Sequence, residues 1–375
     1  MLTSDQNRKI NEIVEEFKEA ADFYRMEYSE DLMGMFRDFG CMLLLKCKVD
    51  TEGKADLERL LEGRHKLKGT VKRQLMTVSE ELAQLWAPGE QDGSGDTGEY
   101  EGSQNVREMF QTALEEIFHF CLYSKGGKNR YLLPEETAKP LLRLLTFPEG
   151  MMAGNEGLVV LDTQCGAGSA LMAASRYLKN LRLMGYEKDE EMWAAAVIMS
   201  QLSGLEMELH LEDGARADLY ESCDLVISNP VYGTDTIKDE ELIDQLPGEL
   251  KTVRGRYHME LIRSMQALNF DGKAMLIVPN SFLFANRTES MKVRKWLLQS
   301  YSLEAIISLP EDTFMYSGVR SGVMVFSKPF MSGGWEGHTQ RVLYYSLEKQ
   351  EDKEKQQQEY DCLEEVWRSR DSYYG

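Results

Sequence analysis

The sequence predicts an α/β fold, a parallel sheet of alternating strands and helices, preceded by an N-terminal helical domain. Three observations predict it. From residue 158 onward short apolar runs alternate with stretches of helical period, as in strands that return in the same direction through crossover helices. Before residue 87 the apolar residues recur at helical spacing. Between these regions, residues 88–102 carry Gly and Asp with no apolar period, so 88–104 reads as a flexible linker. The division is then 1–87 helical, 88–104 linker, 105–346 α/β, and 347–375 a charged tail.

Taken in order, Ile10, Ile13, Val14 and Phe17 mark the buried face of a first helix, and Leu57, Leu60 and Leu61 that of another. Cys41, Met42, Leu43, Leu44 and Leu45 form a buried segment that its neighbours make helical. Arg64, His65, Lys66, Lys68, Lys72 and Arg73 are a basic cluster, either a solvated helix face or a phosphate-contacting patch. A helix over 106–123 leads to a turn at Gly126 and Gly127. Leu158, Val159, Val160 and Leu161 are the first strand, followed by a Gly-rich turn and a helix over 169–178. Strand 181–186 and helix 190–202 come next, then strands 206–211 and 225–227. Helix 254–269, strand 274–278, helix 288–299 and strand 303–308 complete the alternation, with 322–326 as the last strand. The Gln-rich end reads as a helix or a mobile tail.

Bulk properties narrow the function. Hydrophobic residues at 42% are enough for a sizeable core. No run of about 18 apolar residues occurs, and the polar start reads as an amphipathic helix, so a soluble, cytoplasmic protein is expected with no membrane partner. Six cysteines without a CxxC pair, and five histidines without HExxH, predict reduced thiols and no catalytic metal. The 43 basic against 63 acidic residues give a charge of −20, which argues against a chain that grips nucleic acid tightly unaided.

The chemistry-bearing residues fall at successive strand ends. Asp162, Thr163, Gln164, Cys165, Gly166, Ala167 and Gly168 join the first strand to its helix, where glycines let the backbone turn sharply and approach a ligand. Glu187 ends the second strand about 20 residues on, the spacing that sets a carboxylate against ribose hydroxyls. Asp213, before Gly214, ends the third, where a carboxylate can accept from an adenine amino group. Together the three favour a nucleoside cofactor. The fourth strand delivers Asn229, Pro230, Val231 and Tyr232.

That last tetrad resembles the Asn-Pro-Pro-Tyr/Phe motif of N6-adenine DNA methyltransferases, particularly the modification subunits of type I restriction systems. The similarity runs in family order over roughly residues 105–330. It takes in Tyr131 and Pro134, then Gly255, Arg256, Tyr257 and His258, then Val278, Pro279 and Asn280, and ends near Gly318 to Val323. The resemblance implies a Rossmann-like S-adenosylmethionine methyltransferase sheet, mostly parallel with one antiparallel edge strand, in 105–346. It implies S-adenosylmethionine bound by Tyr131, Pro134, Asp162, Cys165, Gly166, Gly168, Glu187, Asp213 and Asn229. It also implies catalysis by Asn229 and Pro230, with Tyr232 stacking on an adenine flipped from DNA. No separate target-recognition segment follows Gly233, only some 20 polar residues, which fits a specificity subunit as partner. The N-terminal helices would dock DNA or a protein.

The chain departs from the family at four places. Val231 stands for the second Pro, Leu133 for a Thr, Thr163 and Gln164 for Pro-Ala, and Ala167 for a common Thr. Val231 releases the fixed φ that Pro imposes on the loop. The departures leave two alternatives, a catalytically impaired binding or regulatory module and a methyltransferase acting on protein glutamine or RNA.

Overall fold

A computed structural model describes residues 2–28, 31–50, 54–62, 67–86, 97–124, 132–145, 157–233, 235–311, 313–314, 319–328, 341–350 and 352–369. The chain divides into two compact units, Met1–Arg130 with Glu190–Glu206, and Tyr131–Asp189 with Met207–Gly375.

The first unit is helical. Numbered along the chain, it holds α1 (Ser4–Glu27), α2 (Met33–Lys46), α3 (Ala55–Glu62), α4 (Gly69–Leu85), α5 (Thr97–Leu122) and α8 (Glu190–Ser203). A capping box starts α1, with the Gln6 N–H donating to Thr3 Oγ1 at 3.3 Å and the Thr3 N–H to Gln6 Oε1 at 2.8 Å. The stripe Ile10, Ile13, Val14 and Phe17 is buried, and Phe17 meets Phe39 of α2 edge to face at 5.0 Å. The Cys41 to Leu45 segment lies within α2 as expected, but Leu45 is exposed rather than buried. Helix α8 is buried on every side from Met192 to Ser200, and at its start Glu191 pairs with the buried Arg37 guanidinium at 2.9 Å. Residues 88–96 of the expected linker lie outside the described residues, and from Thr97 its remainder belongs to α5. Of the basic cluster, Arg64, His65 and Lys66 lie outside them too, while Lys68, Lys72 and Arg73 are exposed. No helix among the described residues is long and apolar enough to cross a membrane.

The second unit carries the sheet. Its strands are β1 (Leu158–Asp162), β2 (Leu181–Glu187), β3 (Met207–Leu211), β4 (Cys223–Ser228), β5 (Leu268–Pro279), β6 (Ser302–Ser308), β7 (Ser321–Ser327) and β8 (Leu343–Ser346). Their order is β3-β2-β1-β4-β5-β7-β6-β8. All neighbours run parallel except β7, which is antiparallel to both β5 and β6. The helices are α6 (Glu135–Arg143), α7 (Ser169–Tyr177), α9 (Glu240–Asp244), α10 (Arg256–Gln266), α11 (Asn280–Phe284), α12 (Thr288–Ser300) and α13 (Lys353–Ser369). The second half of β5, Ala274 to Pro279, is buried on both faces, which explains its unbroken apolar run. One core joins β4, β5, β6 and β7 to α9, α10 and α12.

Two expectations need correction. The series does not end at residue 326, because β8 adds a parallel strand beside β6, with Ala305 opposite Leu343. The stretch after Gly233 is not merely polar: Ile237, Leu242, Ile243, Leu246, Leu250 and Val253 are all buried in the core. Their spacing follows α9 and a short 3-10 turn, Gly248–Leu250, rather than one long periodic element.

Candidate active site

Strand β1 pairs with β2 on one side and β4 on the other, so successive crossovers leave β1 in opposite directions. The carboxyl ends that flank such a switch point open a crevice in a parallel sheet. Register brings the candidate residues to that edge, with Asp162 opposite Gly185 and Glu187 opposite Leu211.

The turn after β1 is built from its glycines. Gly166 has φ 55° and Gly168 φ 78°, left-handed values that a side chain disfavours, and Gly168 caps α7. The Gly166 N–H donates to Glu187 Oε2 at 3.0 Å, and the Asp189 N–H to Oε1 at 2.7 Å, so the β2 carboxylate is strapped to the turn. Asp162 is buried and accepts the Gln164 N–H at 3.0 Å. Burial pushes its carboxyl up to about 7, against the pull of that hydrogen bond and with help from the nearby Glu187 charge. Burial also raises Glu187 above the usual carboxylate value. Cys165 lies with its sulfur against Gly185, where a Cβ would come within 2.8 Å, and burial pushes its thiol well up. Its side chain packs the turn. Pro134 caps α6, whose Glu135 holds Tyr177 of α7 at 2.9 Å. Tyr131 lies outside the described residues.

The two residues of one departure from the family pattern, Thr163 and Gln164, form a network of their own. Gln164 donates from Nε2 to Thr163 Oγ1 at 2.6 Å, and Thr163 Oγ1 lies 2.5 Å from the Ser264 hydroxyl of α10. The Ser228 hydroxyl, the last of β4, reaches Gln164 Oε1 at 3.5 Å. The first turn is thereby tied to the strand that delivers Asn229. There Asn229 is half-buried, Pro230 is buried, and Val231 is 43% exposed. Tyr232 is held by its hydroxyl to Ser321 Oγ at 3.3 Å and by an edge contact to Tyr257 at 5.7 Å.

Asp213 has company that the sequence reading missed. Arg256, at the first position of α10, grips it with both nitrogens, Nη2 to Oδ2 at 2.9 Å and Nη1 to Oδ1 at 3.3 Å. The Ala215 N–H adds a bond to Oδ1 at 3.2 Å. Burial works to raise this carboxyl, but the Arg256 bonds and charge outweigh it and hold it below the usual value. Behind Arg256 stands the buried Glu260 at 3.0 Å, with Lys188 at 3.9 Å beyond. One signal was available: a cation at a helix N-terminus is electrostatically disfavoured, so it announces a carboxylate partner. Its neighbour Tyr257 is buried, and its hydroxyl has no hydrogen-bond partner among the described residues. Among those residues no group of three or more His, Cys, Asp and Glu is placed to hold a metal ion.

With this geometry in view, comparison with known proteins gives a consistent picture. Residues 107–371 match the family model of the N-6 DNA methylases. The chain is 24% identical over 298 residues to the methylase subunit of the type I restriction enzyme MjaVII of Methanocaldococcus jannaschii, covering 73% of this chain and 47% of that one. It spans about half or less of the curated relatives it matches. A Listeria monocytogenes protein described as a class I S-adenosylmethionine-dependent methyltransferase superposes with a TM-score of 0.66 at 18% identity, over 96% of this chain and 99% of that one. The methyltransferase subunit of a type I restriction-modification system from Streptococcus thermophilus gives 0.60 at 16% identity, over 96% and 93%. These likenesses show the fold, the Rossmann-like sheet of class I methyltransferases expected from the sequence. By the extent of the family match, the chain belongs to the N-6 DNA methylases.

Proposed function

We propose that this chain is an S-adenosylmethionine-dependent methyltransferase acting on the exocyclic amine of a flipped adenine in DNA, beside a partner subunit that selects the sequence. The observation that carries it is the Asn229-Pro230-Val231-Tyr232 loop at the end of β4, hydrogen-bonded through Ser228 and Gln164 to the glycine turn of β1. The methyltransferase domain is assigned to 105–346, with the helices before it as a docking platform.

The strand ends fit the cofactor chemically. Asp162 is a buried carboxyl and Glu187 a half-buried one, both raised by burial, and both accept hydrogen bonds from backbone N–H groups. A ligand with a positively charged centre offsets such an acid pair. Adding a Cβ at Gly214 would bring it within 2.3 Å of the Thr163 carbonyl, so the β3 end lies directly against the glycine turn. Glu187 is assigned to the ribose hydroxyls and Asp213 to the adenine amino group, with Gly166, Gly168 and Cys165 shaping the turn. Pro134 and, on sequence alone, Tyr131 are assigned to the rim. When bound, S-adenosylmethionine supplies a methyl group on a cationic sulfur that leaves as a neutral thioether.

The residues do the rest by orientation. The lone pair of an exocyclic amine is delocalised into the purine ring and is a poor nucleophile. The Asn229 side-chain oxygen and the Pro230 carbonyl accept its two N–H bonds, which favours a tetrahedral nitrogen. Tyr232 stacks on the extruded base, a contact worth about 1–3 kcal/mol that partly offsets unstacking. Its ring is already fixed from behind by Tyr257 and from the side by Ser321. The family match favours adenine over glutamine or RNA acceptors. The type I system named for the Methanocaldococcus jannaschii relative supports a partner subunit.

The test is single-molecule sequencing of host DNA with and without this gene, scoring N6-methyladenine. Loss of the mark at one defined motif on deletion supports the reading. An unchanged methylome from cells that express the protein overturns it.

A further inference from the structure

We infer that Arg256 is the positioning residue that sets base specificity in the cofactor site, by fixing the Asp213 carboxylate so that it reads the purine 6-amino group. The inference rests on the cofactor reading above and goes one residue deeper. A carboxylate has about four acceptor positions. Arg256 takes one on each oxygen of Asp213, and the Ala215 N–H takes a second on Oδ1. An acceptor position on Oδ2 is left for a ligand; Arg216 approaches that oxygen only to 3.9 Å. The two-pronged grip fixes the plane of the carboxylate as well as its charge, which a single point contact cannot do.

The grip is itself braced. Arg256 Nη1 also bonds Glu260 Oε1 at 3.0 Å, one turn along α10, and Lys188 Nζ approaches the same oxygen at 3.9 Å. Lys188 follows Glu187 directly. A chain of alternating charges, Lys188, Glu260, Arg256 and Asp213, therefore runs from the end of β2 to the end of β3, the two acids assigned to the nucleoside. The arrangement has a recognisable chemical purpose. An ionised acceptor of fixed plane favours an amino group at purine position 6, whereas a 6-oxo purine turns a second acceptor toward it.

The test compares two ligands that differ at that one position, S-adenosylhomocysteine and S-inosylhomocysteine, both neutral at sulfur. Binding to the full chain is followed by calorimetry for the wild type, R256Q and R256K. The wild type is expected to prefer the adenosyl ligand by about tenfold to a hundredfold, the worth of a hydrogen bond to a charged group. In R256Q that preference falls to within about twofold of unity while the inosyl affinity is nearly unchanged, and R256K lies between. Equal weakening of both ligands, or an unchanged preference, gives Arg256 a merely structural role and overturns the inference. If R256Q unfolds, R256K decides alone by the same ratio. A wild type that binds both ligands without preference overturns the inference and leaves the cofactor reading standing. One that binds neither overturns the cofactor reading and this inference with it.

Discussion

Asn229 leaves β4 at the switch point of the sheet, half-buried between the buried Pro230 and the last strand residue, Ser228. Asn229 belongs to both the catalytic and the cofactor sets; if its amide oxygen chiefly holds the target amine, truncation removes mainly an interaction made in the transition state and costs the cofactor little. Asn229→Ala should lower kcat by roughly 10²- to 10³-fold, as for loss of one preorganised polar group, with the Kd for S-adenosylmethionine within a few-fold. Methyl incorporation and calorimetry on the same preparation separate the two effects, and parallel loss of both counts against the assigned role. Asp162 makes a different prediction, about stability. Its carboxyl sits at about 7 in the folded chain against 3.8 as the ordinary value. The folded state therefore keeps its proton at pH values where the unfolded chain has released it, and stability is lost as pH rises between those values. Asp162→Asn cannot titrate and its side-chain oxygen can still accept the Gln164 N–H. Urea melts of variant and wild type should converge near pH 4 and separate toward pH 8, the variant then being more stable by a few kcal/mol. A constant gap across that range would mean that Asp162 is not the titrating group.

At the scale of elements, the turn from β1 into α7 is the tightest piece of the site. Gly168 caps α7 at φ 78°, and the Met172 N–H closes the first helical bond onto its carbonyl at 2.9 Å. Gly168→Ala keeps that bond but forces a side chain into the left-handed region, at about 1–2 kcal/mol. The displaced turn should weaken S-adenosylmethionine binding beyond the stability loss, since the Gly166 N–H that holds Glu187 moves with it. A fall in melting temperature with unchanged cofactor affinity would separate fold from site and refute the coupling. This turn was legible in the sequence because strand, glycines and helix are contiguous, and the same holds for the loop after β4. The strands were legible where they are central, as the apolar run 274–278 is buried on both faces. Strand β8 was not, because it lies at the sheet edge, half-buried at Leu343 and Tyr345 and exposed at Tyr344 and Ser346. Nor was the α9 segment, whose buried residues are carried by pieces too short to display a period. The partner of Arg256 was hidden for a third reason: a cation at a helix start signals a carboxylate but not which one, and Asp213 is 43 residues away.

The whole molecule carries a charge of −20, and a site for DNA has to be reconciled with it. Phosphate contacts supply most non-specific affinity, and each one releases counterions, so the salt dependence of binding counts them. Around the Asn229 edge uncommitted cations are few among the described residues. Arg287 at the start of α12, Lys295 along it and Lys238 just after the Tyr232 loop are exposed, but Arg294 bonds the Ala285 carbonyl and Lys292 bonds Thr252. Arg254 turns back onto the carbonyls of Lys251 and Val253, and Arg256 is held by Asp213 and Glu260. Three phosphate contacts correspond to a slope of about −3 in log K against log salt, short of the −5 or steeper expected of six or more. The isolated chain should therefore bind a duplex no more tightly than about 1 μM at physiological salt, in the range of weak non-specific complexes. Fluorescence anisotropy across a salt series measures both quantities. A sequence-selecting partner should then raise the affinity and steepen the slope together, because it brings the missing phosphate contacts. Nanomolar binding by the chain alone, with a steep slope, would mean that the first unit or the undescribed residues 63–66 hold the phosphates and that no partner is needed to bring the DNA.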